Sequence, residues 1–406
     1  MLRKTLFLLI IIAVATMATA QYVRLTPVTA SSALYLDNQR LINYNRYEHL
    51  HFEAALHYAY PSDNSELGLV SRYQWQGKAF AGYGVENKQM TYGGSIALSD
   101  RGPHRWFHTI GYSHQLEQAG ATRLADYNMF NLAENAIYRA NRFSMVDCIS
   151  LSTAADINYN VRLQMSFAHS MERYLFDTVG TLLYGSEITT PLHRYSTLRL
   201  HATYRQRLAI EGTAALRHDD AEHPFATIIA QYRHRAPMGD YLNYRLFLQG
   251  GYASHNVPYS RLFDISGTAV GAGTIGFFFH NTMLTVAPNE FHAHLYARGT
   301  LTIELADPLY NWAYSSPIPF AQIGLLGGWL TDEGRLTDHA TVEGIEVQAP
   351  VQGIAEPVLG VNRLLRWRTL EGGVAIAYRL APPNAAYHRS EPIENMSLMV
   401  SLQMSI

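Results

Sequence analysis

The last ten residues, Ser397 to Ile406, place Leu398, Val400, Leu402, Met404 and Ile406 on the even positions and Ser397, Ser401, Gln403 and Ser405 on four of the five odd ones. A period of two is that of a β-strand with one apolar and one polar face. A strand that meets hydrocarbon outside and water inside has this pattern, so it predicts the closing strand and insertion signal of a cylinder in lipid. The same alternation recurs far upstream. Leu50, Phe52, Ala54, Leu56, Tyr58 and Tyr60 share one face, opposite His49, His51, Glu53, Ala55 and His57. Leu198, Leu200, Ala202 and Tyr204 alternate with Arg199, His201, Thr203 and Arg205. Leu242, Tyr244, Leu246 and Leu248 alternate with Asn243, Arg245, Phe247 and Gln249, and Val374, Ile376, Tyr378 and Leu380 with Gly373, Ala375, Ala377 and Arg379.

The N-terminus supplies a route to such a location. Arg3 and Lys4 precede an apolar run, Leu6 to Val14, and Ala18-Thr19-Ala20 ends it. This is the pattern of a secretory signal peptide cleaved after Ala20. No later segment offers the eighteen or so apolar residues of a spanning helix. Charged residues make up only 16% of the chain, against roughly 25% in soluble proteins. A membrane chain without apolar helices must close its strands on themselves, since lipid satisfies no backbone polar group. The fold class expected is therefore all-β: a single transmembrane antiparallel β-barrel. Strands of roughly 9–11 residues plus connections give about 14–16 of them.

The domain reading is simple: signal peptide 1–20, a short N-terminal segment 21–45 outside the alternation, and one barrel over 46–406. Turn signals such as Asp100-Arg101-Gly102-Pro103 and Ala381-Pro382-Pro383-Asn384 separate the strands. With the last strand running toward the periplasm, Ala381–Asn395 and Thr331–Ala355 become external loops and Arg366–Glu371 a periplasmic turn. Once Arg3 and Lys4 are removed, 29 basic residues face 33 acidic ones. This balance excludes a basic nucleic-acid footprint. Outer-membrane lipid and the barrel-assembly machinery are the partners expected, with no nucleic acid and no cofactor. Cys148 is single and cannot form an internal disulfide.

Several groups could carry chemistry. His49, His51, Glu53 and His57 share a strand face, where alternate residues lie about 6.6–6.8 Å apart, so they are candidate metal ligands. The alternative is that a wet lumen simply needs polar side chains, and this is the reading adopted, with no metal assigned. Arginine outnumbers lysine 28 to 3. Arg199, His201, Arg205, Arg245, His292, His294, Arg298 and Arg379 fall in the polar register and are expected to face the lumen, as structural ladders or as an anion-guiding constriction. His169-Ser170 and Ser113-His114 offer hydrolase residues without a motif, and adjacent strand residues point to opposite faces. Gly271-Ala272-Gly273-Thr274-Ile275-Gly276 has nucleotide-loop spacing but runs into Phe277-Phe278-Phe279, which favours a strand bend. Trp75, Trp106, Tyr112, Trp312, Tyr314, Trp329 and Trp367 are expected to form interfacial girdles.

Phrases in the second half carry a resemblance: Gly250-Gly251-Tyr252 with Val257-Pro258-Tyr259-Ser260-Arg261-Leu262, Phe279-His280-Asn281-Thr282-Met283 leading to Pro288-Asn289-Glu290-Phe291, Glu356-Pro357-Val358-Leu359-Gly360-Val361-Asn362-Arg363-Leu364-Leu365, and Ala377-Tyr378-Arg379-Leu380. With Tyr83-Gly84-Val85-Glu86-Asn87-Lys88 and Tyr92-Gly93, they make residues 70–406 similar to the barrel portion of a family of uncharacterised Gram-negative outer-membrane β-barrel proteins. Members usually carry an N-terminal carboxypeptidase-regulatory-like domain, which is not expected here because the segment 21–45 is too short for one, and His292-Ala293-His294 stands where the family tends to show an acidic residue. The resemblance implies an outer-membrane location and transfers no catalytic residue. The expected function is a transport, channel or structural surface role, not an enzymatic one. An envelope hydrolase, or a binding or assembly partner of another surface protein, are the alternatives.

Overall fold

The computed structural model describes residues 22–24, 33–37, 43–45, 47–60, 73–100, 105–120, 142–219, 223–265, 275–277, 283–287, 289–312, 314–332, 334–367, 370–385 and 387–404. The expected signal peptide lies outside these residues. The chain enters through β1 (Tyr22–Arg24), β2 (Ala33–Asp37) and β3 (Asn43–Asn45), then forms β4 (His49–Tyr60), β5 (Tyr73–Gly84), β6 (Met90–Asp100), β7 (Trp106–Gln118), β8 (Phe143–Asn158) and β9 (Val161–Tyr174). It continues as β10 (Leu192–Tyr204), β11 (Leu208–Arg217), β12 (Pro224–Met238) and β13 (Leu242–Ala253). An excursion carrying β14 (Phe263–Asp264), β15 (Ile275–Phe277) and β16 (His292–Ala293) precedes β17 (Leu295–Leu305) and β18 (Ile318–Asp332). Short strands β19 (Arg335–Thr337), β20 (His339–Val342) and β21 (Ile345–Gln348) follow, and β22 (Ile354–Trp367), β23 (Leu370–Tyr378) and β24 (Met396–Met404) finish the wall.

Each long strand pairs antiparallel with its sequence neighbour, and β13 pairs with β17 across the excursion. Of the 20 strands in this sheet, β1, β15 and β19 are short additions, and β2 and β3 pair successive parts of β4. Taking β2 and β3 as one interrupted strand, the wall has sixteen among the described residues. Two expectations are corrected here. The sheet begins inside the segment 21–45, because Ala33–Asp37 and Asn43–Asn45 pair with β4. The closing edge also differs. Beyond its ladder with β23, β24 pairs parallel with β15, Leu398 opposite Ile275 and Val400 opposite Phe277, and no ladder to β2 is recorded among the described residues. An open strand edge in lipid needs a hydrogen-bonding partner, and an internal segment of the chain supplies it over Leu398–Val400.

The period of two sets the faces. In β4, Phe52, Leu56, Tyr58 and Tyr60 are exposed while His51, Glu53 and Ala55 are buried. In β9 and β10, Leu163, Met165, Phe167, Leu198 and Leu200 point outward, and Ser170, Glu172, His193 and His201 are buried inside. So continuous an apolar exterior is incompatible with water and fits hydrocarbon. The end where β4 finishes carries Tyr58, Tyr60, Tyr73, Trp75, Tyr204, Tyr241, Trp312 and Tyr314, all exposed. The other end carries Tyr83, Tyr92, Tyr112 and Tyr252. These are two interfacial belts. Leu398 and Val400 of the insertion strand face outward as expected. The side chains of Leu402 and Met404 are not described, and Ile406 lies outside the described residues.

The first end has short turns, as at Arg205–Arg207 and Gly239–Tyr241, besides a twelve-residue connection between β17 and β18, whereas the longest connections leave the second end, after β7, β13 and β18. Short turns mark the periplasmic side and long loops the external side. No helix among the described residues is long and apolar enough to cross a membrane.

Candidate functional site, an internally sealed lumen

The periplasmic half of the lumen is lined by arginine. On the inward faces from β10 to β17 it presents Arg199, Arg233, Arg235, Arg245 and Arg298 against only Glu211 and Glu304. Each glutamate is buried and shared. Glu304 accepts from Arg245 at 2.7 Å and Arg235 at 3.1 Å, and Glu211 lies 3.3 Å from His201 and 3.5 Å from Arg199. Arg298 donates to Gln249 Oε1 at 2.8 Å. The excess of fixed cations over anions gives this chamber a positive potential.

The external half is filled by the chain itself. The excursion between β13 and β17 folds inward, and Tyr259, Leu262, Phe263, Ile265, Met283, Val286 and Phe291 are all buried. They pack on inward-facing apolar wall residues, among them Tyr195, Phe225, Ile229, Leu326 and Leu330. Two glycines permit the close approach. Gly120, at φ +74°, exchanges backbone hydrogen bonds with Ser260 and Asp264, and a Cβ there would lie 2.6 Å from the Leu262 carbonyl. A Cβ on Gly251 would meet the Tyr296 ring at 2.5 Å and Phe263 at 3.0 Å.

Four carboxylates anchor the segment. Glu356, fully buried on β22, accepts from the Leu284 amide at 2.8 Å and the Thr285 amide at 2.6 Å. Glu290 receives both terminal nitrogens of the buried Arg379, at 2.7 and 2.9 Å, while Arg379 also donates to the Thr285 carbonyl. Glu172 on β9 accepts from Ser260 Oγ at 3.0 Å and Arg261 at 3.3 Å. The fourth, Glu343, comes from a second loop. It sits with Gly344 in the β20–β21 turn, at φ 52° and 82°, the type I′ geometry that favours Asn, Asp and Gly. Its carboxylate explains the disfavoured residue, accepting from Tyr174 OH at 2.8 Å, the Tyr259 amide at 3.0 Å and Arg217. Glu343 was not singled out from the sequence; its position just before a glycine, between two short β-like runs, was the signal available.

The candidate histidines separate. His51 is buried, its Nδ1 2.9 Å from Glu48 and its Nε2 3.7 Å from Glu53 and 3.4 Å from Thr91 Oγ1. His57 shares the inward register, whereas His49, the first residue of β4, is exposed at φ 55° and lies 3.6 Å from Glu86. The four do not converge: the left-handed backbone at His49 leaves it exposed, while His51 is held by Glu48 and Glu53. Arg205 is likewise corrected: it is exposed in the Arg205–Arg207 turn, 3.1 Å from Asn160 Oδ1, past the end of the wall strand. His292, His294 and Arg379 are buried within the seal instead of lining open lumen. Ser170 is buried inside and His169 points out, as their adjacency requires. His114 bonds Asp147 at 2.8 Å on the outer face. Of the glycine-rich run, only Ile275 and Gly276 are described, in β15.

Tyr259 couples the seal to protonation. Its hydroxyl accepts from Arg142 and lies 2.8 Å from His292 Nε2, to which it can donate when that nitrogen is unprotonated. Burial, reinforced by the Arg142 charge, lowers the His292 pKa to about 3, and burial lowers that of His294 to about 4. A released segment regains a pKa near 6.5, so between pH 6.5 and 3 it binds protons that the docked segment excludes. Docking is thus fully supported above pH 6.5 and weakens as the pH falls through that window. Limited proteolysis of the internal segment is expected to accelerate at pH 4.5 relative to pH 7.5, with a smaller acceleration in His292→Gln.

An apolar exterior, two aromatic belts and a lumen filled by its own chain define a transmembrane β-barrel of the outer-membrane type. No protein-family model and no curated protein matches the sequence. Among solved structures, the fold is similar to that of BamA from Haemophilus ducreyi lacking POTRA domains 1-3, with a TM-score of 0.50 and 9% identity over 97% of this chain and 78% of that one. CdiB from Acinetobacter baumannii aligns with a TM-score of 0.45 and 10% identity over 93% of this chain, which spans 60% of that protein. The outer membrane transporter YddB from Escherichia coli gives 0.37 and 8% over 94% of this chain and 66% of that one.

Proposed function

We propose that the protein is an outer-membrane transport or channel barrel held shut at rest, with anionic solutes favoured by its inner arginines. The observation that carries this reading is the asymmetry of the lumen: a cationic chamber on the periplasmic side, ended externally by a segment that is docked through carboxylate anchors and joined to the wall sheet, among the described strands, by the three-residue β15–β24 ladder. Contacts this limited can be released while the long wall ladders stay. The reading assigns no catalysis, metal, cofactor or nucleic acid. Outer-membrane lipid is the solvent of the wall, and the barrel-assembly machinery inserts the chain through β24. The resemblance to the uncharacterised outer-membrane family belongs to this proposal too. Its phrases around Tyr259, Glu290, Glu356 and Arg379 meet at the seal, which gives them a common structural purpose.

Selectivity tests it. In a barrel opened by the Arg379→Ala substitution, reversal potentials in a salt gradient should show anion preference. Adding Arg245→Glu and Arg298→Glu should shift the reversal potential toward cation preference. An opened pore without ion preference, or one indifferent to both charge reversals, contradicts the reading.

A further inference from the structure

We propose that the outer wall across β9 to β13 holds a site for one anionic, phosphate-bearing lipid of the external leaflet. Its lower part is an apolar groove of about 500 Å³. Phe167, Leu198, Leu216 and Pro224 form its sides, and Ala214 and Ala226 keep its floor low. Such a furrow accepts an acyl chain. The groove ends externally at Ser196, where the outward face turns polar.

Ser196 Oγ lies 2.8 Å from His218 Nε2 and 3.2 Å from His169 Nδ1, and the two imidazoles stand 5.8 Å apart. Toward the external rim on the same face, Arg194 on β10 lies one same-face step beyond Ser196, about 6.6–6.8 Å, and Arg173 on β9 two such steps beyond His169. Both are exposed on the outer face, and among the described residues neither guanidinium has a hydrogen-bond or ion-pair partner. Arg173 follows Met171, the register partner of Arg194, on the adjacent strand. Two unpaired guanidiniums above a Ser–His–His cluster match a phosphate, which takes charge-assisted hydrogen bonds from several donors. The groove below them matches the chains that the phosphate carries. Charge and shape together specify a lipid; a free phosphate would leave the groove unused. The second outer-wall groove, lined by Leu248, Ala297, Leu325, Ala355, Leu380 and Pro382, includes the cation Arg298, but that residue belongs to the inward register and donates to Gln249. This site is on the outside of the wall and is independent of whether the lumen conducts.

The test is native mass spectrometry of the full-length barrel in uncharged detergent with equal phosphatidylglycerol and phosphatidylcholine of identical acyl chains. Retention is expected to favour phosphatidylglycerol by roughly 5- to 30-fold, from two arginines at a lipid surface. Arg173→Ala with Arg194→Ala should bring the ratio close to one. Ala214→Phe, filling the groove, should lower retention of both lipids without changing the ratio. Heat-modifiable migration on gels confirms that each variant is folded. Equal retention of the two lipids by the wild type, an unchanged ratio in the double variant, or displacement of phosphatidylglycerol by excess inorganic phosphate would each overturn the proposal.

Discussion

Arg379→Ala is expected to undock the internal segment and to convert a closed barrel into a conducting one. The guanidinium is buried, makes two bonds to Glu290 and a third to the Thr285 carbonyl, and lies over the Phe291 ring at 5.8 Å. Its loss leaves the Glu290 carboxylate, which is largely buried, with Arg389 at 3.3 Å and the Ala287 amide at 2.7 Å. Removing one partner of a buried pair costs about 3–5 kcal/mol, because the remaining charge stays desolvated. The wall itself keeps its ladders, so the loss falls on the segment. Two measurements check this: protease cleavage within the segment and conductance, both raised, with barrel migration on gels unchanged. Arg379→Lys should recover only part of the closure, since an ammonium cannot span both Glu290 oxygens and the carbonyl with one planar fork.

The second large effect concerns the membrane. Leu398→Lys combined with Val400→Lys is expected to abolish outer-membrane accumulation. Both side chains are exposed on the outer face of β24, beside Ile376 and Val374 of β23. A lipid-facing lysine costs about 2–4 kcal/mol near the midplane, and two fall on one strand that carries the expected insertion signal. Fractionation should find the variant in the periplasm or degraded. Placing lysine at the inward neighbours Ser397 and Met399 disrupts packing but not the lipid face, so it separates insertion from stability. Normal membrane levels of the Leu398/Val400 variant would show that this face does not meet lipid.

Much of the wall was legible because hydrocarbon imposes a strict rule on every second residue. Leu198, Leu200 and Tyr204 must be apolar whatever the lumen does, and Arg199 and His201 are then left inside. The rule fails where the inside is dry. Phe225, Ile229, Leu326 and Leu330 point inward yet are apolar, because the internal segment covers them. β12 accordingly reads Ile228-Ile229 across the wall, where alternation predicts a polar residue on one side. The segment itself touches protein on all sides, so neither a period of two nor of 3.6 marks it, and His292 and His294 read as a continuation of the strand face of Tyr296 and Arg298. Ala33–Asp37 and Asn43–Asn45 were missed for another reason: each piece is too short to show alternation, and pairing with β4 decides their state. The position of Glu343 follows from a hairpin tip meeting a distant strand, a contact that no local pattern encodes.

The central claim is that the lumen is closed by the chain's own internal segment. Planar-bilayer recording on the refolded wild-type protein, beside a variant in which residues 259–287 are replaced by a short Gly-Ser linker, tests it directly. The account predicts a near-silent wild type and a steadily conducting, anion-preferring variant. A wild type that already conducts at the level of the linker variant, or a folded linker variant that stays silent, would contradict it.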